Sequence, residues 1–331
     1  MAIKVKAPAI YPVIQETNYS NLRSFNFYIV NYDDALFLVD AGYDNEACWN
    51  GLNDALKKNG FSLKDLDAIL ITHHHYDHLG IINRLLAEHP IPLYCHPLAI
   101  PRITRDKDFL SERVRFFNKL YLTSGCDEAH VNHELKRLRE YMESMEKPIV
   151  HDDIRAIGEG DEIFGFQVLE VPGHSIDHLA FYHEGTREML VGDHMIQHIS
   201  SNAIIDFHKN GTKTLSLVQY EKSLRRLLAY PLDVAYSGHG ELINDPHGLL
   251  KQKLSRIEKK GELILQMLNK PRTPAWVAQQ IYKDRYETAF SLVMSEIIGH
   301  IDRLEYYGKV QKKVDNGVFY YERKPFHRNR L

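Results

Sequence analysis

The sequence has few cysteines, no long apolar run and no apolar leader. Its three cysteines, Cys48, Cys95 and Cys126, lack any Cys-x-x-Cys or other metal-ligand spacing, so neither a disulfide framework nor a cysteine metal site is expected. No stretch of about 18 apolar residues occurs, which excludes an ordinary membrane span. The first eight residues lack the apolar segment of a signal peptide. We therefore expect a cytoplasmic protein that does not engage a membrane.

Glycine-rich phosphate-binding loops are also missing, and no strong net charge marks the chain as a whole. Neither G-x-G-x-x-G nor G-x-x-x-x-G-K-[ST] occurs, so nucleotide binding through such loops is not supported. The net charge is −3, but residues 251–331 contain 17 Lys and Arg against 9 Asp and Glu, and the remainder contains 24 against 35. A basic tail of this kind is typical of a solvated helical surface or, as the alternative, of contact with a polyanion.

The most informative segment that is present is a histidine cluster at residues 72–80, Thr-His-His-His-Tyr-Asp-His-Leu-Gly. The preceding residues 68–72 are apolar and rich in β-branched side chains, which predicts a buried strand. The cluster would then lie in the loop just beyond a strand end, where alternate side chains can converge on an ion. Imidazole and carboxylate groups suit zinc or another borderline divalent ion. A solvated histidine-rich loop is the alternative. The candidate ligands are His73, His75, Asp77 and His78.

Four more predicted strands end in a similar way. Each is followed by a turn with a glycine, and each turn presents an acidic or histidine side chain. The strands are predicted at residues 35–39, 166–171, 188–191 and 232–236. The side chains that follow them are Asp40, His174, Asp193 and His239. Five strand ends with ionisable residues predict one edge of a sheet scaffold on which a site is assembled.

This pattern resembles the metallo-β-lactamase-fold superfamily over roughly residues 20–245. His73 to His78 matches the family's His-x-His-x-Asp-His signature, and His174, Asp193 and His239 match its later ligand positions. The resemblance implies an α/β fold, the αβ/βα sandwich, in which two mixed sheets pack face to face with helices outside.

The resemblance also implies two divalent metal ions, with zinc as the first expectation and manganese or iron as alternatives. By that analogy, one ion is held by three histidines, the other by an Asp and two histidines, and a further Asp bridges both. The first set is His73, His75 and His174, the second is Asp77, His78 and His239, and the bridge is Asp193.

Two such ions can lower the pKa of a shared water to about 7, which provides a metal-bound hydroxide for hydrolysis. Asp77 is the expected catalytic residue, because it can orient this hydroxide or take its proton. Asp40 would support the ligands. His74 lies between ligands and is expected to be filler, while His178, His194 and His198 are assigned either a supporting role or none.

Residues at about 98–148 form a helical insertion between the ligand motifs. Apolar spacing predicts one helix at residues 111–122 and another from His133 to Met145. The insertion could cap the metal cleft as a lid, or it could be the contact of a homodimer.

The C-terminal part is predicted as helices followed by a β-hairpin. Helices are expected at residues 258–268, 274–282 and 287–307, and Asp315-Asn316-Gly317 predicts the hairpin turn. This order resembles a winged helix. We therefore expect a catalytic domain over residues 1–250 and a small winged-helix-like domain over residues 251–331.

Three functions are compatible with these features. The metal motif is close to that of glyoxalase II, so the first is hydrolysis of a small-molecule acyl substrate, a thioester, ester or lactone. The second is a metal-dependent endoribonuclease or phosphodiesterase, with RNA held by the basic C-terminal domain and bases stacked on residues 319–321. The third is a non-catalytic nucleic-acid-binding regulator, against which the complete ligand set counts. Because all the ligands precede residue 240, truncation near Asn269 is expected to spare turnover of a small acyl substrate.

Overall fold

The computed structural model describes residues 7–144 and 147–325. Its first sheet contains six strands in sequential spatial order, of which β1 to β3 are antiparallel neighbours and β3 to β6 run parallel. These strands are β1 (Ala9–Thr17), β2 (Arg23–Tyr32), β3 (Ala35–Val39), β4 (Ala68–Leu70), β5 (Leu93–Cys95) and β6 (Ile154–Ala156).

The second sheet contains five strands in the order β11-β10-β9-β8-β7, in which only β10 and β11 are parallel. They are β7 (Glu162–Ile163), β8 (Phe166–Glu170), β9 (Leu179–His183), β10 (Glu188–Gly192) and β11 (Val234–Ser237). A separate two-stranded hairpin closes the described chain, with β12 at Val310–Asp315 and β13 at Val318–Arg323.

Ten helices lie in the described residues. They are α1 (Glu46–Lys58), α2 (Ile82–Glu88), α3 (Ile100–Ile103), α4 (Lys107–Thr123), α5 (Glu128–Ser144), α6 (Ser216–Leu227), α7 (Pro246–Met267), α8 (Pro274–Tyr282), α9 (Asp284–Thr288) and α10 (Phe290–Tyr306). None of them is long and apolar enough to cross a membrane.

Alternation along the strands creates two apolar faces on the first sheet. In β2, Phe25, Phe27 and Ile29 face one side, and Tyr28 and Val30 face the other, as the two-residue period of a strand requires. The second face packs directly on the inner face of the other sheet, which contributes Phe166, Val168, Phe181 and Leu190.

Helices cover the two outer faces. Helices α1 and α2 pack on the first sheet, and α6 with the N-terminal half of α7 packs on the second. Each fully buried aliphatic or aromatic side chain contributes about 1.5–3 kcal/mol to folding. The layers therefore run helix, sheet, sheet, helix, and the predicted αβ/βα sandwich is confirmed.

A fourth apolar cluster joins the insertion to the C-terminal region. It combines side chains of α4 and α5 with those of α8 to α10, and the C-terminal half of α7 and the hairpin pack behind them. We call the helices α4, α5 and α8 to α10 the helical wall. Members of the cluster include Phe116, Tyr121, Leu135, Ile264, Phe290, Ile297 and Tyr321.

The predicted elements of the wall are present with altered bounds. The predicted helix at 287–307 is broken at Ala289, which separates α9 from α10. The predicted end of the second insertion helix, Met145, lies outside the described residues. Thr273 caps α8 as expected, because its side chain accepts a hydrogen bond from the Trp276 backbone N–H. The hairpin turns at Asn316-Gly317, both with positive φ, as a two-residue primed turn requires.

Helix α7 is longer than the predicted 258–268 segment, because Pro246 begins it and Asp245 caps it. It runs without interruption across residue 250, so the expected boundary at 250/251 falls inside a continuous helix. Its N-terminal half belongs to the sandwich and its C-terminal half to the cluster of the helical wall. Arg303 of α10 reinforces this junction by donating to Glu221 of α6 at 2.6 Å and to Glu258 of α7.

Candidate metal centre

The carboxyl ends of strands from both sheets meet at one edge of the sandwich. Residues 72–78 follow β4, Asp193 follows β10, and His239 follows β11, while His174 is presented by the loop after β8. The two sheets are also joined here, because the Asn26 side-chain amide of β2 donates to the carbonyls of Ser237 and Gly240. All seven candidate ligands converge on this edge, which we call the metal rim.

Three of the histidines form one cluster. His75 Nδ1 lies 2.9 Å from His73 Nε2 and 3.0 Å from His174 Nε2. Ligand nitrogens around one tetrahedral zinc ion, each at 2.0–2.1 Å from it, are roughly 3.3 Å apart. These three nitrogens therefore have the spacing of a single coordination sphere.

The second cluster contains Asp77, His78 and His239, and Asp193 lies between the two. His239 Nε2 is 3.4 Å from Asp77 Oδ2 and 3.2 Å from Asp193 Oδ2. Asp193 also lies 3.3 Å from His78 Nε2 and 3.5 Å from His174 Nε2. One carboxylate thus contacts both clusters, which is the position of a bridging ligand.

Unsatisfied buried atoms show that the residues fit metal ions. Among the described residues, His78 Nε2, His239 Nε2 and Asp193 Oδ1 are buried without a hydrogen-bond partner. Leaving buried polar atoms unpaired costs about 1–3 kcal/mol each, so atoms aimed at a common point require something to bind there. Five imidazoles and two carboxylates are the donor set of borderline divalent ions.

Hydrogen bonds from the outward ring nitrogens of three histidines determine which nitrogen of each ring faces the centre. The Nδ1–H of His239 donates to the Ser24 carbonyl at 2.7 Å, and that of His174 donates to the Asn202 carbonyl at 2.9 Å. His73 Nδ1 lies 3.1 Å from the Thr72 hydroxyl. Each bond occupies Nδ1, so Nε2 is the nitrogen that faces the centre, as in other histidine metal sites.

Asp40 holds the His78 ring by its outward nitrogen, and it also anchors the loop that contains residues 72–78. It accepts from His78 Nδ1, from the Thr72 hydroxyl and from the Thr72 backbone N–H, each at 2.8 Å. Its own backbone has φ of 61°, an uncommon conformation for a residue with a side chain. Three buried hydrogen bonds maintain this conformation and hold the beginning of the ligand loop in place.

Burial and neighbouring charges shift the pKa values in opposite directions. Burial and the surrounding imidazoles hold the pKa of His73 and His75 well below the ordinary range. Both rings are therefore neutral and can offer a nitrogen lone pair to an ion. Burial also lowers the pKa of His239, but Asp193 and Asp77 outweigh it and raise that pKa to about 10. Burial raises the pKa of Asp193, yet His239 and His78 hold it well below its usual range. The metal-free centre thus balances two carboxylates with protons on histidines, and divalent ions would replace those protons.

Gly238 leaves the space in which the second cluster forms. A Cβ at this position would lie 2.5 Å from Asp193 Oδ1 and 2.6 Å from His78 Cε1. Any side chain here would therefore displace two ligands, which explains why the turn after β11 carries glycine.

His74 is not filler, which corrects the expectation from the sequence. Its Nδ1 lies 2.7 Å from Asp177 Oδ1, and its backbone N–H donates to Asp177 Oδ2 at 2.9 Å. Asp177 is fully buried, and although burial raises its pKa, His74 and Arg102 lower it below the usual range.

His178 is also buried and stacks on the His73 ring at 4.7 Å, whereas His198 donates to the Asn21 carbonyl away from the ligands.

Asp177, Ser24 and Asn202 are the supports that sequence reasoning missed. Ser24 and Asn202 act through backbone carbonyls, which leave no trace in residue identity. For Asp177, the sequence offers one signal, which is its position shortly after the His174 turn. An acidic residue there must either be buried with a partner or lie on the surface.

A cleft of about 1120 Å³ opens above the metal rim. Its floor includes His75, Asp77, His174 and Asp193, and its sides are formed by the helical wall. Helices α4 and α5 of the insertion therefore border the site, as the cleft-capping expectation required. Helices α8 to α10 also border it, so truncation near Asn269 would remove part of the cleft wall while leaving all seven candidate ligands in the chain.

Apolar and aromatic side chains form a large part of the cleft lining. Tyr76, which lies within the ligand motif, contacts Tyr141 of α5 with ring centroids 5.7 Å apart. The apolar and aromatic lining residues are Tyr19, Leu22, Tyr76, Phe117, Tyr121, Leu138, Tyr141, Ile196, Ile199, Ile204, Tyr282, Ala289, Leu292 and Val293.

Comparison with known proteins gives three findings. The family profile described as the metallo-beta-lactamase superfamily matches residues 22–239. The probable metallo-hydrolase YqjP of Bacillus subtilis is 33% identical over 277 residues, 82% of this chain and 85% of that protein. A shorter match, 27% identical over 130 residues, links 39% of this chain to 33% of a hydroxyacylglutathione hydrolase of Hahella chejuensis.

Solved structures share the fold. A metallo-beta-lactamase family protein of Thermus thermophilus superposes with a TM-score of 0.73 at 23% identity, over 95% of this chain and 98% of its own. The shared region includes the sandwich and extends through most of the C-terminal helices, since so little of either chain is left out.

Proposed function

The chain belongs to the metallo-beta-lactamase superfamily and is a metal-dependent hydrolase, and we propose that its substrate is a thioester, ester or lactone with an apolar acyl group. The observation that carries this proposal is the cleft, whose apolar walls stand directly above the converged ligands. A substrate that buries an apolar group against these walls would place its acyl carbon at the metal rim.

Divalent ions held by the seven ligands would acidify a bound water and polarise the acyl carbonyl oxygen. Asp77 supplies the proton acceptor, because it lines the cleft and its pKa lies below the usual range, so it is a carboxylate at neutral pH. Burial raises this pKa, but the neighbouring His239 and His78 outweigh burial and lower it. The aromatic side chains around Tyr76 exclude bulk water from the acyl group.

The charges of the cleft favour a small substrate over RNA. Its lining contains Arg113, Arg137 and Arg285, which are matched by Glu134, Glu140 and Glu296. A groove that tracks a nucleic-acid backbone needs an excess of positive charge.

The hairpin also offers little to stack bases upon. Tyr321 is 3% exposed, and the Lys312 ammonium covers the Phe319 ring at 3.6 Å. In the same region, Lys313 is paired with Glu322 and Lys309 with Glu262. RNA binding by the C-terminal region thus has weaker support than acyl hydrolysis, and so does a winged-helix role for it.

The decisive experiment is a hydrolysis screen of the metal-loaded protein against thioesters, lactones, phosphodiesters and short RNA. We expect turnover of acyl substrates to increase with the length of an apolar acyl chain and to be lost in Asp77→Asn. The matched control is Asp44→Asn, which alters an exposed carboxylate paired with Lys147. If RNA or a phosphodiester were cleaved faster than every thioester, with the same dependence on Asp77, the acyl proposal would be wrong.

A further inference from the structure

A second cavity, of about 230 Å³, lies beside the metal cleft. It is formed by helices α6, α7 and α10 and by the loop that contains Ser200, Ser201 and Asn202. These three residues, together with Ser295 and Glu296, line both the cavity and the cleft. The two spaces are therefore neighbours along one loop, whose Asn202 carbonyl also supports the candidate ligand His174.

Lys253 of α7 lines this cavity and is 4% exposed. Its Nζ donates to the Ser201 hydroxyl at 3.1 Å and, at 3.5 Å, to the Ile199 carbonyl. Within residues 7–144 and 147–325, no carboxylate pairs with it. Lysine is almost never this buried without a partner of opposite charge, because desolvating an ammonium group is costly. Burial lowers the pKa of Lys253 to about 7, with a further contribution from Arg256.

The other charged groups of the cavity leave an excess of positive charge. Lys260 lies 3.5 Å from Glu296, so the charges of these two residues compensate each other. Lys260 also donates to the Tyr282 hydroxyl. Arg256 lies one turn of α7 after Lys253, at the exposed edge of the cavity. Lys253 and Arg256 thus present two cations to one small space, and no carboxylate in the described part of the chain is paired with either of them.

His300 of α10 provides a second, independent sign of a missing partner. It is 3% exposed and lines the cavity, and its Nδ1 is buried without a hydrogen-bond partner among the described residues. An unpaired buried ring nitrogen is destabilising unless a bound molecule satisfies it.

We propose that this cavity binds a phosphate or carboxylate group, with Lys253 and Arg256 as its charge partners and His300 as a polar contact. The group would be supplied by the leaving end of the substrate or by a free anion. Only the first source rests on the proposed acyl hydrolysis. The cavity is large enough for one such group, and an anion there would neutralise the buried ammonium.

The first measurement is calorimetric titration of the metal-loaded protein with inorganic phosphate. We expect Lys253→Met to weaken the affinity at least about tenfold, because charge-assisted hydrogen bonds are lost. Arg256→Gln should weaken it by a smaller factor, and because Arg256 is exposed this change does not endanger folding. Lys251→Met, an exposed change on the same helix outside the cavity, is the control and should bind like the wild type.

The second measurement separates the two sources of the anion. The kcat/KM of S-acetylpantetheine 4′-phosphate is compared with that of S-acetylpantetheine, which has the same thioester without the phosphate. A preference for the phosphorylated compound that disappears in Lys253→Met and Arg256→Gln assigns the cavity to the substrate. Equal values in all variants, with phosphate affinity still dependent on Lys253, assign it to a free anion.

Phosphate affinity that is the same in the wild type, Lys253→Met and Arg256→Gln would overturn the proposal. This outcome is independent of the acyl activity, because the titration needs no turnover. Failure to hydrolyse any thioester would count against the proposed function alone.

Discussion

The metal rim and the helical wall face each other across one cleft, but they are held by different interactions. At the rim, several candidate ligands are fixed by hydrogen bonds to partners outside the ligand set, such as Asp40 for His78 or the Ser24 carbonyl for His239. In the wall, side chains such as Phe290 and Tyr121 are fixed by apolar packing between segments far apart in sequence. Under the proposed function, the rim would determine which bond is broken and the wall would determine which molecule is held.

The most severe test of the rim is Asp193→Ala. We expect the variant to bind one ion or fewer, against two per chain for the wild type, and to lose turnover to background, because Asp193 contacts both clusters. Elemental analysis after metal supplementation and dialysis measures the first effect. Two retained ions in Asp193→Ala, or fewer than two in the wild type, would contradict the dinuclear centre. Asp44→Ala, at an exposed carboxylate, is the control.

Asp77→Asn separates metal binding from proton transfer within the rim. The amide can remain a neutral ligand but cannot accept a proton, so we expect kcat to fall about a hundredfold to a thousandfold while part of the metal is retained. Metal content and kcat are measured on the same sample. Turnover at the wild-type rate would remove Asp77 from its catalytic role.

Asp40→Asn tests whether the rim depends on support from behind the ligands. The side-chain amide cannot accept from both His78 and Thr72 as the carboxylate does, so we expect metal affinity or activity to fall about 10–100-fold. Competition with a chelator measures the affinity. An unchanged affinity would show that the ligand loop is held without Asp40.

Glu221→Gln tests the junction between the sandwich and the wall. Burial raises the pKa of Glu221, but Arg303 and Arg225 outweigh it, so the pKa lies below its ordinary range. The stabilisation from the carboxylate is therefore present above the ordinary glutamate pKa and is lost as the pH falls through the lowered value. At pH 7 we expect a loss of about 2 kcal/mol in the free energy of unfolding.

The difference between wild type and Glu221→Gln should shrink as the pH falls below about 4, and urea unfolding at several pH values measures it. Glu46→Gln breaks the exposed pair with Arg84 and should cost less than about 1 kcal/mol at any pH. A pH-independent difference for Glu221→Gln would mean that the carboxylate charge contributes nothing.

The smallest effect is expected for Leu292→Glu in the wall. Leu292 is 38% exposed and lines the cleft, so a charge there should raise KM for a long apolar acyl chain by about tenfold and leave an acetyl substrate unaffected. Leu263→Glu, at a comparably exposed leucine of α7 outside the cleft lining, is the control. Equal KM changes for both acyl chains would remove the wall from substrate selection.

The rim could be read from the sequence because its signals are local. Each ligand follows a strand within a few residues, and His73 to His78 fall in one loop. The sandwich followed from the same local signals, because the ligand motifs carry the resemblance to the metallo-β-lactamase fold that implies it. Asn202 and Ser24 could not be found, because a backbone carbonyl acts whatever its side chain is.

The wall could be predicted only as separate helices. Nothing in the spacing of Phe116 or Leu135 indicates that they pack against Phe290, about 150 residues later in the chain. This long-range pairing depends on where the sandwich places the ends of β5 and α7. The helices were therefore expected with nearly correct bounds, whereas their position above the metal rim was left open between a lid and a dimer contact.

The continuity of α7 has a consequence for recombining this chain with its relatives. A crossover at residue 250 would join two halves of one helix whose faces were selected against different cores, so the hybrid would carry mismatched packing on both. The segment between Met267 and Thr273 interrupts helical structure and contains Pro271, so an exchange there keeps α7 with the sandwich that supports it. Hybrids joined in this segment should express as folded protein and acquire a new substrate range, whereas those joined at residue 250 should aggregate.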